Sequence, residues 1–251
     1  MRKIIISLLL IGIFAGCKSV QSVAQYEIAD ATIADTSIVN VQIAGFQCEL
    51  ADTGMYFATN DKKQRIYAPG DSVGFSIDLN PDDSLRLFVN EWYSKHLHCL
   101  CEPILYNRTG GTTNIIRFTM LETWGNPVSY RIENNSSGIY ITYSKTDGQG
   151  GYETGKRVEH ETKEISVAKW DAIIAKMDSI DFCNIETHAK NMFFEGNKLV
   201  FHMHTDGAEW IFETFINGRY HLVTRNSPDN SGTSGDKGYA ELCNLIVQSH
   251  K

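Results

Sequence analysis

The residues with the chemistry of a site lie mainly in two stretches. Toward the C-terminus, His202, His204 and Glu209 alternate with apolar residues. If they share one strand face, two imidazoles and a carboxylate would suit zinc or iron. An ordinary alternating strand also places polar residues in this way, and that is the reading adopted: no metal and no cofactor are expected. Glu213, Tyr220 and Arg225 follow as further candidate ligand-binding residues, and no residue is assigned a catalytic role. The second stretch is His96-Leu97-His98-Cys99-Leu100-Cys101. On a helix, residues two apart point about 200° apart. On a strand, the histidine pair and the cysteine pair face opposite ways. Neither arrangement gathers four ligands. Gly148 to Gly155 lacks the Gly-Lys-Ser/Thr ending of a phosphate cradle and reads as a long hairpin loop. Ser227 has no Gly-x-Ser-x-Gly context.

These residues must be positioned by hairpins and helices. Asn217-Gly218 is a two-residue hairpin signal that pairs Ile216 with Arg219, Phe212 with Val223 and Trp210 with Arg225. Reading Asp206-Gly207 as a second such turn pairs Met203 with Trp210. Two faces then emerge. One, apolar, carries Leu199, Phe201, Met203, Trp210, Phe212 and Val223, with Arg225 stacked on Trp210. The other, mostly polar, carries His202, His204, Glu209, Glu213, Tyr220 and Leu222. Glu213 and Arg225 fall on opposite faces.

Upstream, short strands are expected at Phe46–Leu50, Met55–Ala58 and Gly74–Leu79, with a turn at Ala68-Pro69-Gly70-Asp71. A helix is expected from Asp83 to about Cys101, with Leu85, Phe88, Val89, Trp92, Tyr93 and His96 as its stripe. Strands at Thr113–Glu122, Val128–Glu133, Gly138–Lys145 and Arg157–Ile165 follow. A helix capped by Ser166 carries Trp170, Ile173, Ile174, Met177 and Ile180. Strands near 198–204, 208–215 and 219–225, a polar loop and a helix over Tyr239–Gln248 complete the chain. The order helix–strands–helix–strands–helix is an α+β fold with antiparallel hairpins, not a doubly wound one.

The N-terminus reads as an address. Met1-Arg2-Lys3 is cationic, and Ile4 to Phe14 is apolar but too short to span a bilayer. Phe14-Ala15-Gly16-Cys17 resembles the lipobox of bacterial lipoproteins, with Phe14 in place of the usual aliphatic residue. The resemblance implies cleavage after residue 16 and acylation of Cys17, whose chains would anchor the protein stably. Lys18 in place of Asp, and the lack of an acidic export signal, imply the outer membrane, facing the periplasm. Residues 17–44 are polar and read as a flexible tether, leaving 45–251 as a single globular domain. The net charge of −7 becomes −9 once Arg2 and Lys3 leave, which argues against nucleic-acid binding. Beyond Cys17 the cysteines are odd in number. Cys183 and Cys243 read as small buried hydrophobes, and Cys48 is left without an assigned partner.

From Trp92 onward the chain resembles a widespread, uncharacterised bacterial protein family. The matching pieces are Glu102-Pro103, Arg117-Phe118, Pro127-Val128, Arg131, Gly150-Gly151-Tyr152 with Gly155-Lys156, and Asp181-Phe182. Asp206-Gly207 with Trp210 and Glu213, Tyr220-His221, Arg225 and Ser227-Pro228 complete the series. Cys183 departs from an expected aromatic, and the loop after Pro228 is longer than usual. The resemblance implies a shared fold and no catalytic roles. The expected function is a lipid-anchored binding or interaction module of the cell envelope, its partners being the membrane and either an envelope protein or a small ligand. The alternative is an envelope hydrolase or metal-dependent enzyme using the polar face of the last sheet.

Overall fold

In a computed structural model the described residues are 20–24, 27–28, 36–37, 54–61, 63–67, 75–78, 83–109, 112–189, 192–195, 198–203, 206–230 and 234–251. Cys17, the leader 1–16, Cys48, the expected strand at 46–50, the turn at 68–71 and the side chains of His202 and His204 lie outside them, as does most of the 17–44 segment.

Six strands form the central antiparallel sheet: β1 Asn114–Glu122, β2 Val128–Asn135, β3 Gly138–Thr146, β4 Arg157–Glu164, β5 Ala208–Ile216 and β6 Arg219–Asn226. Their spatial order is β4-β3-β2-β1-β5-β6. With α1 Leu87–Cys99, α2 Val167–Ser179 and α3 Ser234–His250 they make the α+β order expected from the sequence. The first four strands are a meander. The chain then runs through α2 and returns to place β5 against the free side of β1, with β6 outside it.

Local chemistry explains the hairpins. Asn217 and Gly218 both take positive φ, 52° and 73°, as a tight turn of this kind requires. That turn fixes the β5/β6 register at Trp210↔Arg225, Phe212↔Val223 and Ile216↔Arg219. Ser166 caps α2 by accepting the Lys169 N–H. One face of the sheet carries Ile116, Phe118, Ile132, Ile141, Trp210, Phe212 and Val223. It packs against Trp170, Ile173 and Met177 of α2 and Tyr239, Leu242 and Ile246 of α3.

Four expectations need correction. First, Lys198–Met203 does not pair with β5. It pairs with Met192–Glu195 and with Val20–Ala24, and Trp210 faces Met120 of β1 instead of Met203. Thr123 donates to the Gly207 carbonyl from both its N–H and its hydroxyl, so the 206–207 corner delivers the chain beside β1. Second, the face expected to be polar is covered by α1 and by Met55–Asn60, with a core of Tyr56, Phe57, Leu85, Tyr93, Leu97, Leu121, Ile211 and Leu222. Third, α1 begins at Leu87 because Ser84–Leu85 is drawn into parallel pairing with Ala58–Thr59, and Phe88 points outward at 72% exposure. The other end helix is longer than expected, because the polar loop becomes helical from Ser234. Fourth, Cys183 is exposed, whereas Cys243 is buried as expected; Cys101 is disulfide-bonded. Among the described residues no helix is long and apolar enough to cross a membrane.

Candidate functional site

On the face that α1 covers, the sheet carries a charged cluster with a buried centre. Arg117 of β1 stands opposite Glu213 of β5 on one side and Arg131 of β2 on the other. Two adjacent arginines require a carboxylate between them, and Glu102, just past α1, supplies it. Its Oε2 accepts from Arg131 Nη1 at 2.8 Å and lies 3.7 Å from Arg117 Nη1. Its Oε1 accepts from Ser129 Oγ at 2.6 Å. Arg117 donates from Nε (2.7 Å) and Nη2 (2.5 Å) to Glu213 Oε2, and from Nη1 to the Pro103 carbonyl. Tyr220 donates to Glu213 Oε1 at 3.0 Å.

Arg117 and Glu213 are fully buried and Glu102 is 1% exposed. Burial alone would depress the Arg117 pKa, but the two carboxylates outweigh it and hold the guanidinium above its usual range. Burial pushes Glu213 up, against the pull of Arg117. Burial and the Glu213 charge raise Tyr220, which remains a hydrogen-bond donor. Both carboxylates are occupied by bonds within the fold, so the cluster is arranged as a structural clamp and presents no open position to a substrate.

The remaining candidates disperse. Glu209 accepts from Tyr93 OH and Asn226 Nδ2 near the sheet end. Arg225 is beside Trp210 in register, but its guanidinium lies over the Tyr239 ring, 5.9 Å from the centroid. It donates to the Thr187 and Glu186 carbonyls and pairs with Asp236 at 3.2 Å. The expected Trp210 stack is therefore replaced by α3, whose Tyr239 covers that rim. Ser227 holds a corner by accepting from the Ala208 N–H. His96 is fully buried with both ring nitrogens unpartnered, and burial, reinforced by Lys95, lowers its pKa to about 3. Among the described residues no three His, Cys, Asp or Glu side chains gather as metal ligands.

A surface that sequence reasoning passed over lies where the β1–β2 and β3–β4 loops meet. Trp124 and Tyr152 are 61% and 52% exposed, their rings 5.0 Å apart and tilted by 39°. The loops are bonded to each other and to α1. Gly150 N donates to the Gly125 carbonyl, Gly151 N to the Thr123 carbonyl and Asn126 Nδ2 to the Gly148 carbonyl. Trp92 Nε1 donates to the Gly150 carbonyl at 2.8 Å and Lys95 Nζ to the Tyr152 carbonyl at 2.7 Å. Gly150 must be glycine: a Cβ there would fall 2.6 Å from the Leu121 carbonyl carbon. Phe88 stands one helical turn before Trp92 on α1 and is also exposed. The available signal was a tryptophan in a Gly-Asn-Pro turn, where burial is hard to provide.

Glu102, Arg117, Arg131, Glu213 and Tyr220 thus meet in the charged cluster, while Gly150, Gly151 and Tyr152 belong to the loop surface. No family model, curated protein or solved structure matches the chain.

Proposed function

We propose that the protein is a non-catalytic binding module of the bacterial cell envelope, held at the membrane through lipid on Cys17, with Trp124 and Tyr152 at the centre of its contact surface. The leader, the Cys17 context and the polar segment after it support the anchoring. The observation that carries the binding reading is the pair of exposed aromatic rings on mutually bonded loops. Solvent-exposed tryptophan and tyrosine on a pre-ordered backbone offer large contact area at small entropic cost, and such residues dominate binding energetics. The charged cluster, by contrast, is closed, and its role is to hold β1, β2, β5 and the end of α1 together.

The test is site-directed photo-crosslinking in native envelopes, with the reactive group at Trp124 or Tyr152 and, as control, at exposed Arg219 beside the β5/β6 turn. A discrete adduct at the first two positions, lost when the other ring is replaced by alanine, is the expected result. Equal, diffuse labelling at all three positions would overturn the surface assignment. Separately, Cys17→Ser should release the protein from membranes, and unchanged fractionation would overturn the anchoring.

A further inference from the structure

The two edges of the six-stranded sheet are treated differently. The β6 edge is sealed: Thr224 N donates to the Thr187 carbonyl at 2.7 Å and Leu222 N to Asp83 Oδ1 at 2.8 Å, while His188 bridges to Thr224. At the other edge every residue of β4 is exposed except half-buried Lys163. Ile165 N donates to the Ile139 carbonyl, which sets the alternation of the β3/β4 ladder. Residues 159, 161 and 163 therefore turn their backbone groups toward β3, and residues 160, 162 and 164 turn theirs outward.

We propose that this edge pairs with β4 of a second copy of the chain, antiparallel, about a two-fold axis normal to the sheet at Thr162. A two-fold of this kind places residues of equal parity opposite one another, which leaves few registers. An axis at His160 sets Glu159 against Glu161 and Arg157 against Lys163. An axis at Glu159 or at Glu161 sets that glutamate against itself. With the axis at Thr162, Glu161 faces the Lys163 of the second copy, His160 faces its Glu164, and Thr162 faces itself with outward backbone groups. Glu161 and Lys163 already pair within one chain at 3.2 Å, so the copies complete a ring of alternating charge. Charged edges normally deter pairing. Here the pattern deters the registers centred at 159, 160 and 161; an axis at Val158 would also set Arg157 against Glu159, but it overlaps the two strands over only 157–159, against 160–164 for the axis at Thr162.

The interface is small beside the ~1,600 Å² of a standard one, so the dimer is weak in solution, with a Kd on the order of 10–100 μM. The experiment uses the full chain in mild detergent. Thr162→Cys should give a disulfide-linked dimer on gentle oxidation, because hydrogen-bonded antiparallel pairs hold Cα atoms about 5.5 Å apart, within disulfide reach. Glu159→Cys should not link above the background of the parent's own thiols. In sedimentation, Lys163→Glu should weaken the dimer about tenfold, and Glu161→Lys/Lys163→Glu should restore it, since the exchanged charges face each other again. A parent that stays monomeric at ten times that Kd overturns the proposal. So does a dimer that links no better at 162 than at 159, or one indifferent to Lys163→Glu.

Discussion

Replacing Glu213 with leucine would strand Arg117, which has 0% exposure and cannot shed its proton. The guanidinium would lose both bonds to Glu213, at 2.7 and 2.5 Å, and keep the Pro103 carbonyl and a Glu102 oxygen 3.7 Å away that Arg131 already holds. Tyr220 OH would lose its acceptor as well. Breaking a buried pair from one side costs about 3–5 kcal/mol, or about 6–20 °C of melting temperature at 2–4 °C per kcal/mol. Arg117→Met differs in kind. Glu213 can take up a proton, which from the ordinary glutamate range costs about 3–4 kcal/mol at pH 7 and less at lower pH. The penalty of Arg117→Met should therefore shrink as pH falls toward 4.5, while that of Glu213→Leu should not. The double variant puts apolar groups where the pair was and should lie within about 2 kcal/mol of the parent. Urea denaturation followed by circular dichroism measures the full cycle. Single variants within about 1 kcal/mol of the parent, or a double variant equal to their sum, would refute the clamp.

Three further outcomes are expected. His96 has a folded pKa of about 3 against 6.5 unfolded, so its contribution is intact above pH 6.5 and is lost as pH falls toward 3. About 2 kcal/mol should be gone by pH 5, and pH-dependent melts of His96→Leu should be flatter across that window. Trp170→Ala and Trp210→Ala, at 8% and 7% exposure, should each cost about 3–5 kcal/mol in denaturant titrations, whereas Trp124→Ala should stay within about 0.5 kcal/mol. In the native protein a maleimide should label Cys183. Cys243, buried with its thiol pKa pushed well up, should react only on unfolding, as mass spectrometry would show.

What the sequence made legible was local. A two-residue turn fixes register by itself, so Asn217-Gly218 was enough to pair Trp210 with Arg225. The Ser166 cap and the Trp170 stripe belong to the same class. The neighbour on the other side of β5 is a non-local choice, and alternation along one strand does not encode it. That is why this face was read as mostly polar although α1 covers it and a core lies beneath. A sign of the true arrangement stood in β1, where Arg117 interrupts Ile115-Ile116 and Phe118. A cation in a strand apolar on both sides needs a carboxylate partner, but nothing nearby in the chain names it. Likewise Arg225 was given the ring beside it in register, whereas the ring it lies over comes from α3.

The seam between β1 and β5 also shapes how the chain reaches its fold. Arg117 and Glu213 are 96 residues apart, and closing so long a loop makes this pairing slower than the turns of the meander. Until β5 arrives, β1 is a bare edge whose Arg117 shares the single Glu102 carboxylate with Arg131. Burying such a charge is costly against a strand that offers no carboxylate, and β1 of a neighbouring nascent chain brings a second Arg117 instead. A strand bearing a carboxylate in matching register can close the edge without burying an unpaired charge. The ion pair that clamps the finished sheet would thus also limit which strands can close the unfinished one.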